Sequence, residues 1–393
     1  MDQSVAAREA GEPTESGTPL GRSDLRDKIP VLGLKEYWYP ALAESKVGWK
    51  KPILIRMLGE DICLFRGKSG QVTALSNVCP HRGAMLHKGS CEFRGTVACF
   101  YHGFVFDEHG ECLAALGEGP NSPMPGKIKA RVFPTATLKG TVFVWMGDGT
   151  PAPLEENIPE EFFQPEKQIL AWHIEWPANW RPCFENSFDS HVRYLHRNSA
   201  LLLMQRVYPP HYPPGLPKKI GPHRLVPTRP IRDTAEQIQD FYPGLNSMWP
   251  RTTRRNAWVW LFNAIKKAIF AAHEPYRASD DWETGQHLPC MVRINYRTYM
   301  WTRWAVPVSE NVTRMFYFHA ASRRSALSRA WEWLTYHGYH HWVMDRNFSA
   351  QDAPAAINAY YDRPEFLAPT DAQLASWRRF LLGARGMPDH KPN

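Results

Sequence analysis

Between Tyr37 and Gly149 the apolar residues come in short runs broken by glycine-containing turns. Ile53–Leu58, Asp61–Arg66, Val72–Ser76, Thr96–Cys99 and Val142–Met146 read as strands. This pattern predicts a small all-β domain. Pro151–Pro165, rich in proline and acids, reads as a linker. The pattern beyond it is mixed. Asn179–Arg197 has a helical reading, and ten prolines within residues 205–256 predict a long loop or lid. Met291–Arg303 and Thr313–Ala320 read as strands joined by a turn at Ser309–Asn311. Ala326–Asn347 reads as an amphipathic helix with Leu327, Ala330, Trp331, Leu334, Gly338 and Trp342 on its apolar stripe. A last helix is expected near Asp371–Leu382. The expected organisation is α+β: a tail over 1–28, an all-β domain over 29–150 and a second domain over 151–393.

Composition adds limits. A chain of 393 residues with 43% hydrophobic residues can bury a substantial core. No stretch reaches the roughly 18 apolar residues that a membrane span needs. Met1–Asp27 mixes acids and bases and lacks the apolar run of a secretory signal, so the expectation is a disordered tail on a cytoplasmic protein. The net charge of +8 suits an acidic electron-transfer partner. No basic run interleaved with aromatics points to nucleic acid. Seven cysteines, an odd number in a large chain, argue against a disulfide framework.

Two of those cysteines carry chemistry. Cys79-Pro-His81-Arg-Gly83 is followed by Cys99-Phe-Tyr-His102-Gly103. Each half offers one thiolate and one imidazole. A Rieske [2Fe–2S] centre needs that set, with two Cys on one iron and two His on the other. Gly83 and Gly103 would let the backbone approach the cluster closely. Zinc also takes Cys and His, but C-x-H paired with C-x-x-H is an unusual zinc-finger spacing. With Gly59-Glu60-Asp61, Leu64-Phe65-Arg66 and Tyr101-His-Gly-Phe-Val-Phe-Asp107 around it, the pattern resembles the terminal oxygenase (α) subunit of the Rieske non-haem iron oxygenases, of the phthalate or carbazole type without a β subunit.

An oxygenase of this kind also needs an Fe(II) held by two His and one carboxylate with open positions. Glu185-Asn-Ser-Phe-Asp189-Ser-His191-Val-Arg-Tyr-Leu-His196 resembles the family's Asp…His-x4-His element. The resemblance implies His191 and His196 as iron ligands, and Asp189 as the carboxylate bridging to a cluster His of a neighbouring subunit. One residue separates Asp189 from His191 where the family usually has two. On an ideal helix Asp189 and His196 share a face, with His191 about 140° away from His196. An irregular or bulged helix would bring it in. Gln351-Asp352, with Tyr361-Asp-Arg-Pro-Glu365, Pro369-Thr-Asp371 and Arg378-Arg379, resembles the C-terminal stretch of phthalate-type oxygenases, which makes Asp352 the third ligand. Asp345, on the preceding helix with His341, is its rival. His337 and His341, at i and i+4, form a further metal-like pair in a Trp-rich helix.

What the resemblance implies is a helix-grip catalytic domain, a curved antiparallel sheet covered by helices, in a homotrimer. Electrons would come from NAD(P)H through a ferredoxin or flavin reductase. They would pass from the [2Fe–2S] cluster to a mononuclear Fe(II), where O2 would oxidise an apolar, aromatic small molecule by ring hydroxylation or demethylation. A Rieske electron carrier without a second iron is the alternative. The roughly 240 residues after the cluster domain argue against it.

Overall fold

The computed structural model describes residues 21–22, 25–188, 195–196, 199–201, 218–226, 261, 264, 275–361, 363–367 and 371–387. The expected tail is docked in its last part. Gly21–Arg22 pairs with Phe366–Leu367, and Leu25–Lys28 forms a 3-10 turn with Arg26 buried.

The N-terminal half is built of antiparallel sheets. One joins Trp38–Ala43, Thr141–Trp145 and Thr135–Leu138. A second orders Ile53–Met57, Glu60–Arg66, Val72–Ser76 and Val132–Phe133. A third holds Thr96–Ala98, Phe104–Asp107 and Cys112–Ala115. The strand Glu60–Arg66 shows how the period of two divides the interior. Ile62 and Leu64 enter a large core that continues into the C-terminal half. Cys63 and Phe65 enter a smaller core behind the two cysteine loops, with Leu86, Phe104 and Phe106.

In the C-terminal half one antiparallel sheet has seven described strands, in the order Lys167–Trp176, Val312–Ser322, Met300–Ser309, Met291–Asn295, Gly285–His287, Arg224–Val226, Lys218–Ile220. Helices Trp180–Glu185, Ala326–Thr335, Ala353–Ile357 and Ala372–Leu382 accompany it. This is the expected α+β arrangement.

Four local readings change. The stretch 291–303 is two strands, because the chain turns at Tyr296–Tyr299 with Arg297 at φ 70°. The proline-rich stretch contains a hairpin, Lys218–Ile220 with Arg224–Val226; most of its remainder lies outside the described residues. The supposed linker is packed rather than free: Ile158 and Phe162 are in the core, and Glu161 makes a buried two-pronged ion pair with Arg293. The long helix is rotated from its expected face. Leu327, Ala330, Trp331, Leu334, Gly338 and Trp342 are all exposed, while Glu332, Thr335, Tyr339, His340, Val343 and Asp345 are buried. Two things set that rotation. Glu332 is drawn inward by His319 and Arg323, and residues 336–348 wind as π-helix, which shifts every later side chain around the axis.

Candidate metal centres

The two cysteine loops are turns of the same length. The Cys79 N–H donates to the Ala84 carbonyl (2.8 Å) and the Gly83 N–H to the Cys79 carbonyl (2.9 Å). Likewise the Cys99 N–H donates to the Phe104 carbonyl (2.8 Å) and the Gly103 N–H to the Cys99 carbonyl (3.0 Å). Both glycines close their turns with positive φ, 75° at Gly83 and 68° at Gly103. At Gly103 space is also short, since a Cβ would stand 2.8 Å from Cβ of Leu116. The His occupies the second position after Cys in one turn and the third in the other, so C-x-H and C-x-x-H are two versions of one device.

The loops sort their ligands by burial. Cys79 and Cys99 are 2% and 3% exposed, whereas His81 and His102 are half-buried with ring centroids 4.9 Å apart. Burial pushes the Cys79 thiol up to about 11, and the neighbouring Cys99 adds to this, while the backbone N–H groups of His81 and Arg82 act in the opposite direction. Burial thus penalises free thiolates there, whereas a bound cluster would take up their charge and those N–H groups would stabilise its sulfurs. Two adjacent thiols inside and two adjacent imidazoles outside fit a [2Fe–2S] cluster with one Cys pair and one His pair. The imidazoles border a surface recess of about 460 Å³, with Tyr101, Leu116 and Glu118 on its walls.

Of the expected mononuclear ligands, Asp189 and His191 lie outside the described residues. His196 and Asp352 are brought together. Nε2 of His196 and Oδ1 of Asp352 are 2.9 Å apart, and both side chains are almost wholly buried. Yet neither atom has a hydrogen-bond partner among the described residues, so both lone pairs remain available. Two atoms bound at right angles to one metal ion, each at about 2.1 Å, stand about 3 Å apart. The spacing fits a shared ion. The His196 ring stacks on Phe348 at 4.0 Å.

Asp345 is placed differently. Its carboxylate accepts from Nε1 of Trp301 (2.9 Å) and the Tyr336 hydroxyl (3.2 Å), and Nδ1 of His341 lies 3.0 Å away. Its capacity is taken up by hydrogen bonds. His337 and His341 do not converge either: His337 packs on Trp333. A buried trio, His319, Glu332 and His340, does bring ligand atoms together. Burial alone would raise the Glu332 carboxyl; His319 and Arg323 outweigh it and hold the group below the usual carboxylate range. With Arg323 already matching its charge, this trio is an ion-pair network of the core.

Two residues of the second site were missed from the sequence. Arg303, 4% exposed, bonds Oδ2 of Asp352 through Nη1 and the Asn186 side-chain oxygen through Nη2 (2.7 Å). A lone arginine in the otherwise uncharged strand Met-Trp-Thr-Arg-Trp-Ala-Val-Pro-Val-Ser was the available signal. Asn186 follows the helix Trp180–Glu185, whose last residue is clamped by Arg378 with both carboxylate oxygens engaged (2.8 and 2.7 Å).

Comparison with known proteins agrees with this picture. Residues 37–125 match the Rieske [2Fe-2S] domain, and residues 145–387 match the homotrimeric ring hydroxylase family. The terminal oxygenase component of carbazole 1,9a-dioxygenase from Sphingomonas sp is 32% identical over 201 residues, 51% of this chain and 53% of that protein. The 5,5'-dehydrodivanillate O-demethylase oxygenase subunit from Sphingobium sp. (strain NBRC 103272 / SYK-6) is 32% identical over 187 residues, 46% of this chain and 41% of that protein. These matches thus span about half of each curated relative or less. The solved terminal oxygenase of carbazole 1,9a-dioxygenase from Novosphingobium sp. KA1 has the same fold: the TM-score is 0.71 at 22% identity, covering 92% of this chain and 96% of that one. The chain therefore carries a Rieske [2Fe–2S] domain and belongs to the homotrimeric ring hydroxylase family, whose second cofactor is a mononuclear iron.

Proposed function

We propose that this chain is the terminal oxygenase component of a Rieske-type oxygenase, working in the cytoplasm as a homotrimer. It takes electrons derived from NAD(P)H through a ferredoxin or flavin reductase. It uses O2 to oxidise an apolar aromatic molecule, by ring hydroxylation or by demethylation. The observation that carries this reading is the buried His196–Asp352 pair, two ligand atoms 2.9 Å apart without a hydrogen bond, in a chain that also has a Rieske domain. A bare electron carrier has no use for that pair. The relatives include dioxygenase and O-demethylase components, which supports both reaction types.

In this reading Cys79 and Cys99 hold one iron of the cluster and His81 and His102 the other. His191, His196 and Asp352 hold the mononuclear iron, and Asp189 links it to a cluster His of a neighbouring subunit. When bound, the cluster supplies single electrons and the mononuclear iron supplies O2 activation. The chain's own groups do the rest. Phe348 fixes the His196 ring, and burial of both His196 and Asp352 keeps bulk water from competing for the site. The half-exposed edges of His81 and His102 face the open recess, where a redox partner can approach. Among the described residues no helix is long and apolar enough to cross a membrane.

The test is turnover under ¹⁸O2 with a matched reductase or a chemical reductant, using a panel of fused-ring and methoxylated aromatics. Label in a hydroxylated product, or cleavage of a methyl ether, is expected. Both should vanish in His196→Ala while the cluster's visible absorption persists. A native protein whose cluster cycles without any product would leave only the carrier reading.

A further inference from the structure

We infer that Arg303 is a positioning residue for the mononuclear iron: it holds Asp352 so that a single carboxylate oxygen, Oδ1, is presented to the metal. This rests on the proposed ligand set. Asp352 lies in helical backbone (φ −74°, ψ −30°) between the 3-10 turn Ser349–Gln351 and the helix Ala353–Ile357, and its side chain makes no capping hydrogen bond. Its two oxygens point to other elements of the fold. Oδ2 is occupied by Nη1 of Arg303, and Oδ1 faces Nε2 of His196.

The guanidinium is itself fixed. It is buried, its Nη2 donates to Asn186 (2.7 Å), and its Nη1 also lies 3.4 Å from Oγ of Ser349. One side chain thus ties the strand Met300–Ser309, the turn Asn186–Phe188 that leads toward the histidines, and the start of the Asp352 helix. Its physical effect is twofold. A buried acid without a partner is costly, and the guanidinium supplies a partner at one oxygen while leaving the other free. Arg303 would thereby leave Asp352 only Oδ1 to offer a metal held with His196, and would draw charge from that oxygen.

The experiment uses the full chain reloaded with Fe(II), with nitric oxide added as probe. The readouts are the electron paramagnetic resonance spectrum of the iron–nitrosyl adduct and the Fe(II) dissociation constant. Cluster absorption reports folding. In Arg303→Met, Oδ2 is released, so the nitrosyl spectrum should change its rhombicity and the dissociation constant should rise about 10–100-fold. Arg303→Lys, which keeps a cation on Oδ2, should move both readouts back toward native. Arg303→Gln, neutral but polar, replaces the methionine variant should that one lose its cluster, with the same direction of change expected. Neutral variants with native spectrum and native Fe(II) affinity would overturn the inference alone, as would a lysine variant no closer to native than they are. A native chain that takes up no iron beyond its cluster would overturn the ligand set, and this inference with it.

Discussion

The two candidate metal centres are built on opposite plans. The proposed cluster ligands all fall between Cys79 and His102, on two turns of one small domain closed by the same pair of backbone hydrogen bonds. The second centre gathers Asn186, His196, Arg303 and Asp352 from separate elements, a turn, a connecting segment, a strand and a helix start. In the first, the backbone of each turn dictates where its ligands point. In the second, no local conformation does so, and placement depends on the sheet register and on buried polar contacts. A local site is therefore sensitive to its glycines and thiols, and a distributed one to a charge far away in sequence.

Substitutions can break that contrast, beginning with the largest effect. Cys79→Ser should abolish the cluster's visible absorption and all turnover, yet leave the capacity to bind added Fe(II) at the second site, as read by metal titration. Asp352→Asn should lose the mononuclear iron while Asp345→Asn retains it. The latter should cost only about 1–3 kcal/mol of stability, from the hydrogen bonds of Trp301 and Tyr336, measured by denaturant unfolding. Equal iron loss in both would mean that Asp345 is also needed. The smallest effects separate the two turns. Gly83→Ala should cost about 1–2 kcal/mol, from positive φ alone. Gly103→Ala should cost more, because it adds the clash with Leu116. Cluster retention on mild heating reports the difference.

The same contrast governs what could be read from the chain. The cluster motif was legible because its spacing is its geometry. The α+β order was legible from the change of periodicity after the linker region. Arg303 was not, since nothing local says that a charge in a buried strand meets a carboxylate on a helix start. Glu332 misled in the other direction: its pairing with His319 and Arg323 overrides the apolar stripe led by Leu327 and Trp331 and turns the helix by its polar side. Ile158 and Phe162, inside a stretch rich in proline and acid, were hidden by the composition around them.

The central claim is that one chain holds two iron centres, the second through His196. Iron and acid-labile sulfide, measured together on anaerobically purified protein reloaded with Fe(II), test it most directly. The account predicts about three iron per two sulfide in the native chain and about two per two in His196→Ala. About two per two in the native protein, or an unchanged ratio in the variant, would contradict it.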